Sequence, residues 1–135
     1  MQNEVTDLVK RYFDAFNAGN ASGMLACLSD TVVHDVNQGG RREGKAKFAE
    51  FLQHMDRCYK EQLRDIIVMA SPDGTRASAE YIVLGKYVAS DEGLPAATGQ
   101  TYVLPAGSFF SIADGRISRV TTYYNLTNWT GQVGG

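Results

Sequence analysis

At Gln62 the hydrophobic periodicity of the chain changes, and that switch limits the folds open to it. Upstream, Val5, Leu8, Val9, Tyr12, Phe13 and Phe16 recur at intervals of three and four residues, the signature of one buried helix face. Gly19 supplies the stop. A short helix over 22–28, a β-branched strand over 31–36 and a loop over 37–40 follow. Phe48, Phe51, Leu52, Met55 and Tyr59 then mark a second amphipathic helix from Gly44 to near Lys60. Downstream the pattern is that of strands, over 63–70, 75–89, 99–112 and 116–124. Ser71-Pro72-Asp73-Gly74 and Ala113-Asp114-Gly115 carry the residues that hairpin turns require. The segment 90–98, with Gly93 and Pro95, is the one long loop and reads as a rim over a pocket. Helices first and strands afterwards predict an α+β fold with helices on one side of a curved antiparallel meander, not βαβ units.

With 135 residues, the chain is expected to form a single domain over 1–135 that buries its core without disulfides or metal. Thirteen basic and fifteen acidic residues leave a formal charge of −2, which gives no electrostatic footprint for nucleic acid. No basic-then-apolar leader is seen at Met1-Gln2-Asn3-Glu4, and no apolar run reaches the roughly 18 residues of a membrane span. A soluble, cytoplasmic protein without a membrane partner is therefore expected. Cys27 and Cys58 fall on apolar helix faces, as reduced core thiols do.

Gly39-Gly40-Arg41-Arg42-Glu43-Gly44-Lys45 has the spacing of a phosphate-binding loop. Ala46, however, stands where a hydroxyl must reach the magnesium ion, and no parallel strand pattern follows. His34 and His54 lack the companions of a metal site, so neither a metal nor another cofactor is expected. Asp35 is out of place in the strand Val32-Val33-His34-Asp35-Val36. Strand alternation puts it on the face of Val33 and Asn37, opposite His34. On a concave face it would be a desolvated general base with a raised pKa; at the strand end it would be a cap for the following loop. Tyr12 is core by default, but its phenol can donate a hydrogen bond to a ligand oxygen.

Val9 through Asn20, Thr31-Val32-Val33-His34-Asp35, Gly44 opening a helix, Asp114-Gly115-Arg116-Ile117 and Thr122-Tyr123-Tyr124 together resemble the NTF2-like superfamily. Within it the sequence is similar to ketosteroid isomerases and SnoaL-like polyketide cyclases. The resemblance implies a conical half-barrel, a curved antiparallel sheet closed by N-terminal helices around a pocket, in homodimers packed through the convex faces. It matches Tyr12 to the oxyanion-donating tyrosine and Asp35 to the proton-shuttling aspartate of the isomerases. Ser108 stands where the isomerases place a protonated aspartic acid, half of the oxyanion hole in ketosteroid isomerase. Asn125 stands where the cyclases carry a catalytic aspartate.

Three functions fit these residues. One is a cofactor-independent proton-transfer enzyme of isomerase or lyase type, resembling steroid delta-isomerase, acting on an apolar oxygenated compound. The others are a non-catalytic small-ligand binder and a dimeric interaction module. Asp35 and Tyr12 are the expected catalytic pair. Phe16, Asn37, Phe48, Leu52, Met55, Ser108, Phe110, Tyr124, Asn125 and Trp129 are expected around the ligand. Val88, Val103, Pro105 and Phe109 are expected to form an apolar outer face that a second copy covers.

Overall fold

A computed structural model describes residues 1–134 of the chain. The elements run α1 (Gln2–Asn17), α2 (Ala21–Ala26), β1 (Leu28–Val36), β2 (Arg41–Glu43), α3 (Lys45–Cys58), β3 (Tyr59–Ala70), β4 (Arg76–Tyr87), β5 (Thr101–Ala113), β6 (Arg116–Tyr124) and α4 (Leu126–Val133). One six-stranded sheet has the order β2-β1-β6-β5-β4-β3. It is curved and unclosed, and the helices cover its concave side.

The apolar stripe of α1 buries Val5, Leu8, Val9, Tyr12, Phe13 and Ala15. Gly19, at φ 68°, takes the left-handed conformation that lets the chain turn out of the helix. Asn20 then caps α2 by accepting a 3.0 Å bond from the Gly23 amide. Asn17 fixes α1 to the sheet edge: its amide group donates to Leu63 O at 2.9 Å and accepts from Leu63 N at 2.8 Å. The side chain thus satisfies backbone groups of β3 as a neighbouring strand would.

Between α1 and the sheet lies a core in which Val9, Leu28, Phe110 and Ile117 are fully buried. Each such side chain contributes about 1.5–3 kcal/mol relative to exposure. Breaks in register within the β3–β4, β1–β6 and β5–β6 pairs bend the sheet. In β3 the bend falls between Arg64 and Ile67, where Asp65 takes a φ of 55°.

Four features differ from the sequence expectation. β1 pairs with β6 in parallel, so the sheet is not antiparallel throughout. The charged triplet Arg41–Glu43 adds a short edge strand beside β1, and Leu126–Val133 forms a terminal helix. β3 begins at Tyr59, directly after α3, four residues before the apolar alternation from Leu63 suggests.

Candidate functional site

The concave face and the helices enclose a cavity of about 380 Å³. Phe13 and Phe16 of α1, Phe48, Leu52 and Met55 of α3, Leu63 and Val83 of the sheet, and Trp129 of α4 supply its apolar wall. Trp129 is buried against Tyr59, Tyr87 and Tyr102, with ring centroids 5.2–6.1 Å apart. The terminal helix is thereby a wall of the site.

Polar groups enter this apolar space in four places. Glu61, at an inward position of β3 between Tyr59 and Leu63, accepts a 2.6 Å hydrogen bond from the Tyr102 hydroxyl. Burial pushes its carboxyl above the usual glutamate value, and the Tyr102 bond only partly opposes this. Tyr81, Ser108 and Thr122 form a hydroxyl chain across β4, β5 and β6, with oxygens 2.7 and 3.2 Å apart. His34 and Arg42 face each other across β1 and β2. His34 is 3 % exposed, and burial, helped by the Arg42 charge, lowers its pKa to about 4. Its imidazole is neutral at pH 7.

At the cavity rim, Asp91 of the 88–100 loop joins α3 to β3. His54 Nε2 lies 2.9 Å from Asp91 Oδ1, and the Tyr59 hydroxyl donates to Oδ2 at 2.6 Å. Burial alone would raise the Asp91 pKa, but the bonds from Tyr59 and His54 outweigh it and hold the carboxyl below its usual value. The Tyr87 hydroxyl fastens the same loop, accepting from Asp91 N at 2.8 Å and donating to Pro95 O at 2.6 Å. Asp91, His54 and Cys58 place ligand-type atoms within 4.8 Å of one another. They fit a metal poorly, because burial pushes the Cys58 thiol up, away from the thiolate form, and Asp91 is already engaged.

Of the residues singled out from sequence, Tyr12, Phe16, Phe48, Leu52, Met55, Ser108, Tyr124 and Trp129 line the cavity. Asp35 does not. Strand alternation sends His34 inward and Asp35 to the opposite face, where Arg41 clamps it with bonds of 2.8 and 3.1 Å. Those bonds pull its pKa down, so the expected rise is corrected to a fall. Asn37 is exposed, its backbone extending the β1–β6 pairing through Thr122 O. Phe110 is fully buried between Tyr12 and Phe13, in the core and not on the cavity wall. Asn125 caps α4, accepting from the Asn128 amide at 2.9 Å, and borders only a shallow surface groove. Glu61, His34, Arg42, His54, Tyr59 and Asp91 were missed as cavity groups. Glu61 left a trace in the sequence, a charge at an inward position of a period-two run that includes Leu63.

The family model for the SnoaL-like domain matches residues 9–120. A provisionally named polyketide cyclase from Pseudomonas putida KT2440 is 59 % identical; the alignment covers 96 % of this chain and 97 % of that one, with a TM-score of 0.94. Another, from Silicibacter sp. TM1040, is 59 % identical over 99 % of this chain and 98 % of its own, with a TM-score of 0.97. An NTF2-like protein from Burkholderia xenovorans LB400 shares the fold at 16 % identity, covering 98 % of both chains, with a TM-score of 0.79. No curated protein matches the chain.

Proposed function

The chain belongs to the SnoaL-like family of the NTF2-like superfamily, and from that premise we propose that it catalyses a cofactor-independent proton transfer on an apolar, oxygenated small molecule. Solved relatives named as polyketide cyclases support a small-molecule pocket of enzyme type. The observation that carries the reaction is Glu61: a carboxyl in an apolar cavity, its pKa raised by desolvation, held by one short bond from Tyr102. Such a group is poised between its acid and base forms nearer neutrality than a solvated carboxylate.

In the proposed reaction the Glu61 carboxylate takes a proton from a carbon next to a ligand carbonyl and returns it elsewhere on the same molecule. The hydroxyl chain Tyr81–Ser108–Thr122 is available to orient or stabilise the carbonyl oxygen as charge develops on it. Tyr12, whose phenol burial keeps protonated, is a second donor lining the same cavity. The apolar lining excludes competing water.

Exchange of the α-protons of 2-tetralone for deuterium, followed by NMR in D₂O, tests this reading. The protein should accelerate exchange over buffer, and Glu61→Gln should remove the acceleration. Undiminished exchange in Glu61→Gln would overturn the role of Glu61.

The assembly belongs to the same proposal. Val103 and Phe109 are about half exposed on the outer face of β5, with Pro105 between them and Tyr123 packed edge-on against Phe109 at 5.5 Å. Ile67, Met69 and Val88 add to the exposed apolar surface. A second copy of the chain covering this face would form a two-fold homodimer.

A further inference from the structure

The two arginines that open β2 have different fates. Arg41 points outward and finds a carboxylate, Asp35, at 2.8 Å. Arg42 points into the cavity and takes part in none of the ion pairs among the described residues. Its guanidinium carbon lies 4.7 Å from the centroid of the Phe51 ring, a cation–π contact.

Arg42 Nη1 is buried without a hydrogen-bond partner. So is Nδ1 of His34, its cross-strand neighbour, whose ring sits between Phe48 and Phe51 at 4.6 and 4.5 Å. Among the described residues, the one other buried side-chain polar atom left without a partner, Ser29 Oγ, is not on the cavity wall. Buried polar groups, and charged ones above all, are paired in folded proteins. Here two unpaired groups stand side by side on the wall of one cavity.

We propose that this corner is a carboxylate seat, and that the cavity takes flat apolar molecules bearing a carboxylate. The inference deepens the proton-transfer reading and rests on it. With a small turn of the two side chains that brings their unpaired nitrogens to the cavity, a carboxylate accepts from the Arg42 guanidinium, and one of its oxygens also accepts from His34 in the tautomer that protonates Nδ1. Arg42 supplies the full positive charge. The burial that keeps His34 neutral makes it a directional donor rather than a second cation. The rest of the ligand then runs along Phe48 and Phe51 toward Glu61, so the seat fixes which carbon meets the base.

Paired titrations with 2-naphthoate and 2-naphthamide, read by Trp129 fluorescence at pH 7, test the seat. They differ in charge at one group and share the same rings. The carboxylate should bind about tenfold or more tighter than the amide, the scale of one charge-assisted hydrogen bond. Arg42→Met should erase that preference while changing amide binding far less, and Arg42→Lys, which keeps charge but loses the fork, should recover part of it. Circular dichroism of both variants checks the fold. Equal binding of the two probes by the unaltered protein overturns the seat and leaves the apolar pocket standing; it is also the result expected if Arg42 met only a developing oxyanion. A preference that survives Arg42→Met overturns the seat as well. Binding of neither probe overturns the seat and the pocket reading together, whereas failure of 2-tetralone exchange alone touches only Glu61.

Discussion

The Tyr102 hydroxyl reaches Glu61 across an intervening strand: Tyr102 on β5 pairs with Gly85 on β4, which pairs with Glu61 on β3. Gly85 makes this crossing possible. A Cβ there would stand 2.1 Å from Tyr102 Cζ, inside the ring's own volume.

Gly85→Ala should therefore displace Tyr102 and free the Glu61 carboxyl. We expect a loss of about 1–3 kcal/mol of stability by denaturant unfolding, together with at least partial loss of 2-tetralone exchange. Exchange and stability both equal to the unaltered protein would show that the ring has another place to lie.

Tyr102→Phe removes the bond and keeps the ring. Because that bond lowers the Glu61 pKa against the rise caused by burial, its loss should raise the pKa further. The acidic limb of the exchange–pH profile should move toward alkaline pH. A limb that stays in place would mean that another group sets it.

Glu61 also has a stability signature. Its folded pKa lies above the unfolded value, so folding favours the protonated form; stability is greatest below the ordinary glutamate pKa and declines as pH rises through the folded one. Glu61→Gln, neutral throughout, should melt at or above the unaltered protein at pH 8 and converge with it near pH 4. Paired melting curves check the sign, and a variant less stable at pH 8 than at pH 4 relative to the parent would contradict it.

Asp35→Asn breaks a half-exposed surface pair with Arg41. It should leave 2-tetralone exchange unchanged and shift the melting temperature by no more than about 2 °C, as surface ion pairs generally do. Exchange assays on this variant separate Glu61 from Asp35 as the base.

Asp91→Asn should loosen the 88–100 loop over the cavity. The carboxylate's pKa is held below its ordinary value of 3.8, so its contribution is present above that value and lost as pH falls through the folded one. Hydrogen exchange by mass spectrometry should show the loop protected at pH 5 in the parent and several-fold faster in the variant. Equal protection would assign the fastening to Tyr87 alone.

The sequence made the helix stripes and the strand run from Leu63 legible because each repeats one period over many residues. β2 escaped because three charged residues at a sheet edge carry no apolar alternation, and α4 because eight residues with Gly131 give a weak helical signal. In β1 the alternation was readable: His34 and Asp35 had to face opposite ways. Its phase was not, since the parallel register that sets His34 beside Val120 and the packing of Phe48 and Phe51 decide which neighbour turns inward. Glu61 was hidden for a related reason. Its strand follows α3 without a loop, so the inward positions start before the apolar pattern does.

The parallel pairing of β1 with β6 has a consequence for biosynthesis. His34 leaves the ribosome well before its strand partner Val120, with five helices and strands made in between. The hairpins of β3, β4 and β5 can form as they emerge, while β1 and the short strand attached to it wait for β6. The Arg42 corner of the cavity is therefore assembled only after β6 is made, and a nascent chain stalled before residue 116 exposes the apolar inner side of β1, where chaperones that recognise unpaired strands would engage it.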